Sequence, residues 1–204
     1  MRNLKISNTH HLQGRVSAPP SKSHSMRALL FAALARGTSQ LRNILDSPDV
    51  QAMINACEQL GAGCYRVSDS EYRVVGVAGK LRCPVSAVNA GNSGQVFRFI
   101  SALVATLDVP VIITGDHSIR SNRPIKPYID SLGDLGIRCE SVLKNDFAPI
   151  EICGPMCAGS ITIDGSDSQL ISGLLIAASQ AEGKQVIHVQ NPGELPWIDM
   201  TLHW

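Results

Sequence analysis

Three stretches of the chain share one plan. Ser-Lys-Ser-His-Ser-Met-Arg-Ala-Leu-Leu-Phe-Ala-Ala-Leu-Ala starts at Ser21, Gly-Asn-Ser-Gly-Gln-Val-Phe-Arg-Phe-Ile-Ser-Ala-Leu-Val-Ala at Gly91, and Gly-Ser-Asp-Ser-Gln-Leu-Ile-Ser-Gly-Leu-Leu-Ile-Ala-Ala at Gly165. Each is a small polar turn running into an apolar stretch with helical spacing, and its hydroxyl, amide or carboxylate side chains suit helix N-caps. A strand-like run follows each: Thr38 to Ile44, Val109 to Gly115 and Lys184 to Val189. In two of the copies a second helix comes next, Asp49 to Leu60 and Pro127 to Leu135. Gly61 and Gly136 stop these helices ahead of further strands such as Tyr72 to Val75 and Pro149 to Ile152. The period is about 70 to 75 residues, the size of a small α/β unit. The fold class expected is therefore α/β, built from units at about 19–80, 81–155 and 156–204, with residues 1–18 as an N-terminal arm. The third copy stops soon after Pro196 opens its second helix, so the sequence is expected to be a fragment of a longer polypeptide whose missing part pairs with the arm.

Composition narrows the function. The chain has 204 residues, 44% of them hydrophobic, enough for a sizeable core. Charged residues make up 17%, and 18 Lys+Arg against 17 Asp+Glu leave a net charge of +1, which argues against a broad nucleic-acid-binding face. With 4% aromatic residues, base-stacking platforms are also disfavoured. The longest apolar runs, Leu29 to Ala35 and Leu174 to Ala178, are too short to cross a bilayer, and the N-terminus carries no secretory signal pattern. Cytoplasm and no membrane partner are the expectations. Six cysteines, at 57, 64, 83, 139, 153 and 157, include no Cys-x-x-Cys pair and are expected to be buried thiols.

Three helix N-termini offer free N–H groups and positive dipole ends, which favour anions. Basic residues cluster near them: Lys22 and Arg27 at the first, Arg98 in the second, and Arg120 and Arg123 in the loop Ser118 to Pro124. Guanidinium groups match phosphate and carboxylate bidentately. Lys22 is the least natural structurally, since a cation at a helix start opposes the dipole. Ser21, Ser23 and Ser25 also read as plain caps, Arg98 as a snorkelling side chain, and His24 as a solvated turn residue. No P-loop, dinucleotide fingerprint, nucleophile elbow or histidine metal spacing appears. The constellation reads as a site for a phosphorylated or carboxylated small molecule.

The run Pro19-Pro20-Ser21-Lys22-Ser23-His24-Ser25-Met26-Arg27-Ala28-Leu29-Leu30, with Leu45 to Val50, Asn92-Ser93-Gly94 leading to Arg98, and Arg123-Pro124-Ile125, resembles the 5-enolpyruvylshikimate-3-phosphate synthase family from about residue 14 onward. The resemblance implies transfer of the carboxyvinyl group of phosphoenolpyruvate to the 5-hydroxyl of shikimate 3-phosphate, with release of phosphate, in aromatic amino-acid synthesis. It implies no metal or organic cofactor. It also implies two domains of three similar units around a pseudo-threefold axis, an inside-out barrel-like arrangement with both substrates in the cleft between them. Residues 19–204 would be the first domain, and the acid/base residues would lie in a missing C-terminal one. By the same resemblance Lys22 contacts both substrates, and Ser23 and Arg27 are shikimate 3-phosphate ligands. Asn92, Gly94 and Arg123 hold phosphoenolpyruvate, with Arg98 lining that site, while Ser168 and Gln169 hold the phosphate and centre of shikimate 3-phosphate.

Four positions depart from the family pattern. Asp167 stands where a first serine is usual, Glu194 where another substrate serine is usual, and Gln95 and Phe99 replace a frequent threonine and proline. A carboxylate beside a phosphate is repulsive unless it turns away or caps the helix. The rival readings are a UDP-N-acetylglucosamine enolpyruvyl transferase, whose first-helix motif differs, and a non-catalytic anion-binding half-domain.

Overall fold

The computed structural model describes residues 4, 5 and 7–204. The described residues up to 18 are exposed and carry no helix or strand. The first unit is α1 (Lys22–Leu34), β1 (Thr38–Leu41), α2 (Pro48–Gln59), β2 (Gly63–Ser68) and β3 (Glu71–Val75). Ser21 starts α1 by accepting from His24 N, and Ser47 starts α2 by accepting from Val50 N, with Pro48 in the first turn where no N–H is needed. The three strands form an antiparallel sheet in the order β1-β3-β2.

The second unit holds β4 (Val88–Asn89), α3 (Gly94–Val104), β5 (Val111–Thr114), α4 (His117–Ser121), α5 (Lys126–Gly133), β6 (Arg138–Ser141) and β7 (Ile150–Cys153). Its sheet runs β4-β5-β7-β6, with β4 and β5 parallel and the rest antiparallel. The third has β8 (Gly159–Asp164), α6 (Ser168–Ala178), β9 (Gln185–Gln190) and α7 (Leu195–His203), with β8 and β9 parallel.

Helices lie inside and sheets outside. Val96, Phe97, Phe99, Ile100, Leu103 and Val104 are all buried, so α3 has no solvent face along most of its length, and it packs against α2 and α6. Strands β5 and β8 bury alternate residues, Val111 and Ile113 on one and Ile161 and Ile163 on the other, leaving Ile112 and Thr162 outward. Two glycines mark how the first two units are closed. A Cβ on Gly76, just after β3, would fall on the carbonyl oxygens of Ala32 and Ala35 at the end of α1. One on Gly154, just after β7, would fall on those of Ala105 and Leu107 at the end of α3. The returning backbone must touch the helix end in both places, and only glycine permits it.

Two sequence expectations are corrected, and four strands are added. Only Cys57 is buried; Cys64, Cys139 and Cys153 are half-buried, and Cys83 and Cys157 are exposed, because they sit on short two-faced strands and loops rather than in the helical core. The segment expected as a loop at Ser118 to Pro124 begins in helix α4, nucleated by Asp116, which accepts from Ile119 N. The hairpin partners β2 and β6 and the parallel strands β4 and β8 went unrecognised, being short or largely polar. Among the described residues no helix is long and apolar enough to cross a membrane.

Candidate functional site

The N-termini of α1, α3 and α6 converge on a pocket of about 600 Å³. Of the nine expected site residues, eight line it: Lys22, Ser23 and Arg27 from α1, Asn92 and Gly94 from α3 and its leading turn, Arg123 from the loop after α4, and Ser168 and Gln169 from α6. Arg98 does not.

At the α1 side Lys22 Nζ pairs with Asp49 Oδ2 at 2.7 Å, and the ammonium side chain remains half exposed. The unfavourable cation at a helix start is thus balanced by a carboxylate from the first turn of α2, where it also suits that helix's dipole. At the α3 side Arg123 donates to Asn92 Oδ1 at 3.3 Å, and Asn92 Nδ2 donates to Asp116 Oδ2 at 2.7 Å. Asp116 is the N-cap of α4. Desolvation acts to raise its pKa, but hydrogen bonds from Ile119 N, the Asn92 amide and Ser118 N, with the Arg123 charge, hold it below the usual carboxylate value. Gly94 is where the guanidinium rests: a Cβ there would collide with Arg123 and come within 3.3 Å of Gln169 Oε1. The glycine therefore brings α3, the arginine and α6 within reach of one ligand.

Three expected ligands are engaged within the protein. Arg27 is 2% exposed; its Nε donates to Thr201 Oγ1 at 2.9 Å, and its terminal nitrogens reach Trp197 O at 3.0 Å and Ser172 Oγ and Ser23 O at 3.3 Å. The guanidinium also lies 5.1 Å from the centre of the Phe99 ring. Burial lowers its pKa to about 10, which still leaves it charged at neutral pH. Arg98 pairs with Asp167, which also caps α6 by accepting from Gln169 N at 3.0 Å and Leu170 N at 3.4 Å. The unusual Asp167 thus caps its helix and neutralises Arg98, and does not line the pocket. Ser168 Oγ donates to Glu194 Oε2 at 2.6 Å.

Sequence reasoning missed Asp49 as the partner of Lys22 and Trp197 as part of the pocket wall. The signal for Asp49 was present in the motif Leu45 to Val50. Gln95 is buried in the wall, and its Nε2 has no hydrogen-bond partner among the described residues. His24 lies outside the pocket, its Nδ1 accepting from Trp204 Nε1 at 3.1 Å.

Residues 6–204 match the family model for EPSP synthase (3-phosphoshikimate 1-carboxyvinyltransferase). The chain belongs to this family. A 3-phosphoshikimate 1-carboxyvinyltransferase of Chlamydia caviae is 43% identical over 194 residues, which is 95% of this chain and 43% of the relative. That of Chlamydia trachomatis serovar D is 42% identical over 191 residues, or 94% of this chain and again 43% of the relative. EPSP synthase from Acinetobacter baumannii superimposes with a TM-score of 0.80 at 28% identity, over 89% of this chain and 42% of that one. The chain thus spans less than half the length of the relatives it matches. The α/β architecture, with helices inside and sheets outside, is that of the enolpyruvyl transferase family.

Proposed function

We propose that this chain supplies the first substrate-binding domain, residues 19–204, of a cytoplasmic enzyme that transfers the carboxyvinyl group of phosphoenolpyruvate to the 5-hydroxyl of shikimate 3-phosphate, releasing phosphate. One observation carries the reading: the three repeated turns meet at one pocket, with Lys22, Asn92, Gly94 and Arg123 around it. Both substrates are polyanions that repel each other. The ammonium of Lys22 and the guanidinium of Arg123 screen that repulsion, while the N–H groups of α1 and α3 donate to anionic oxygens without reorganising. Ser23 and Gln169 offer hydroxyl and amide groups that orient the sugar-like ring. Orientation matters because the reacting hydroxyl must be held against the enol carbon, and fixing two reactants in register is worth several orders of magnitude in effective concentration.

Arg27, which lines the pocket, also fixes α7 through Trp197 O and Thr201 Oγ1, and Arg98 fixes the α6 cap through Asp167. In the proposed division of labour the acid/base groups belong to the part of the relatives that this chain does not span, and residues 7–18 of the arm pair with that part; residues 1–3 and 6 of the arm lie outside the described residues. The 204-residue chain is therefore expected to bind substrate without turning over. The test is release of inorganic phosphate from phosphoenolpyruvate in the presence of shikimate 3-phosphate, measured with the purified chain against a heat-denatured control. Release at the control level is expected. Release well above the control, dependent on both substrates, would refute the division.

A further inference from the structure

The protein holds the basic side chains of the pocket in different ways. Lys22 meets the carboxylate of Asp49 directly, at 2.7 Å, so part of its charge is spent within the protein. Arg27 is engaged with α6 and α7, and the acidic Glu194 accepts from Ser168 Oγ. Arg123 is held at one remove from a carboxylate. Its Nη2 donates to Asn92 Oδ1 at 3.3 Å, and Asn92 Nδ2 donates to Asp116 Oδ2 at 2.7 Å.

An asparagine amide could face Arg123 with either end, and its neighbours decide which. A carboxylate only accepts and a guanidinium only donates. Asp116 therefore draws the NH2 group to itself, which turns the carbonyl oxygen toward Arg123. The interposed neutral amide fixes the guanidinium in space while keeping the carboxylate away from it, so its charge stays available to a ligand.

Asp116 is itself fixed. Its Oδ1 caps α4 by accepting from Ile119 N at 3.2 Å, and its own N–H donates to Gly91 O at 2.8 Å. Asn89 Oδ1 accepts from Gly91 N at 2.9 Å, and Ala90 N donates to Thr114 O at 2.9 Å, which ties the turn ahead of α3 to the end of β5. A Cβ on Gly115 would fall 2.8 Å from Gly91 O, so the two turns meet backbone to backbone.

We propose that Asp116, which does not line the pocket, is a positioning residue: through Asn92 it holds the Arg123 guanidinium over Gly94, where it meets an anionic group at the α3 N-terminus. The inference deepens the proposed function and rests on it for the identity of that anion.

The test separates positioning from capping. Asp116→Asn keeps an oxygen to cap α4, since asparagine caps as well as aspartate, but presents an NH2 group to the NH2 group of Asn92. The link to Arg123 is then cut, whichever amide turns. Combining Asn92→Asp with Asp116→Asn exchanges donor and acceptor and restores both bonds at unchanged net charge. In crystal structures without ligand, Arg123 is expected over Gly94 in the protein and in the exchanged pair, and withdrawn in Asp116→Asn with α4 intact. Inorganic phosphate is then titrated into the 204-residue chain, Asp116→Asn, Arg123→Ala and the variant carrying both of these substitutions, and read at the backbone amide resonances of residues 92–94. Asp116→Asn is expected to weaken phosphate binding about tenfold where Arg123 is present and not at all where it is replaced. The proposal is overturned if Arg123 stays over Gly94 in Asp116→Asn, or if that substitution weakens phosphate binding equally in both backgrounds, as a purely structural role would. Arg123 withdrawn as expected, with no response to phosphate at residues 92–94 of the unmodified protein, would support the positioning and count against the proposed function.

Discussion

Removing the Arg27 side chain separates a structural arginine from a ligand arginine. Arg27 comes from α1, yet three of its contacts, Trp197 O, Thr201 Oγ1 and Ser172 Oγ, belong to α6 and α7, and it is the charged bolt between the first and third units. Hydrogen bonds from a charged donor are worth roughly 1.5–3 kcal/mol each, while the burial that lowers its pKa to about 10 is a cost that disappears with the side chain. Ser172 and Thr201 keep their mutual bond at 2.9 Å, which limits the damage, but Trp197 O is left without this donor beside an emptied volume over Phe99. The net expectation for Arg27→Ala is a loss of about 3 kcal/mol, a large share of the roughly 5–15 kcal/mol that stabilises a domain. With a urea dependence of about 2 kcal/mol per molar, the midpoint falls by about 1.5 M. Arg27→Lys should recover little of it, since an ammonium cannot span three acceptors in a fixed fork. Both tryptophans of the chain, Trp197 and Trp204, lie on or at the end of α7, so their fluorescence follows the undocking directly. An Arg27→Ala protein with an unchanged urea midpoint, measured without ligand, would refute the reasoning and return Arg27 to the role of a substrate ligand.

Four further outcomes follow from the same geometry. Gly94→Ala should leave thermal stability within about 1 kcal/mol, because alanine is the better helix former, yet weaken anion binding at least tenfold by displacing Arg123 and Gln169; calorimetry checks it. At pH 8 a thiol reagent should modify Cys83 and Cys157 rapidly, and Cys57, Cys64 and Cys139 only on unfolding. Burial, aided by Glu58 and Glu140, pushes the Cys64 and Cys139 thiols up to about 12, and burial with the nearby Cys64 and Glu58 holds Cys57 well above its ordinary value. These raised thiols hold protons in the folded chain that the unfolded chain releases from 9.0 upward, so stability should fall as pH climbs from about 9 towards 12, a slope that Cys57→Ala reduces. Asp116 has the opposite sign: its folded pKa is lowered, so its hold on Asn92 is present above its ordinary value of 3.8 and is lost as pH falls through the folded value. Anion binding should therefore persist through pH 4, and Asp116→Asn should weaken it at every pH.

Much of this arrangement was legible because it is local. The repeat placed α1, α3 and α6, and the caps Ser21, Ser93 and Asp167 sit one residue ahead of the turns they close, where short-range hydrogen bonding decides. The converging anion site followed from those three turns being alike. What stayed hidden depends on distance along the chain. Arg27 and Thr201 are 174 residues apart and Arg98 and Asp167 are 69 apart, and no pattern in either neighbourhood announces that one arginine is spent on a carbonyl and the other on a carboxylate. Asp167 illustrates the limit well: its type flagged a conflict with phosphate, but only the fold shows it capping α6 and paired with Arg98. The strands that went unread are β4, of two residues, and partners such as β2, whose outward residues blur the alternation that periodicity relies on.

The measurement that tests the central claim most directly is a calorimetric titration of shikimate 3-phosphate into the 204-residue chain, with shikimate, which keeps the ring carboxylate but lacks the phosphate, as the comparison and Lys22→Ala as the binding-deficient variant. Lys22 is chosen because it lines the pocket on a half-exposed side chain, away from the buried core. Saturable binding that is stronger for the phosphorylated ligand, weakens with added salt and drops at least tenfold in Lys22→Ala is the predicted result. Equal binding of the two ligands, or binding that Lys22→Ala leaves intact in a folded protein, would contradict a substrate half-site at the meeting point of these three helices.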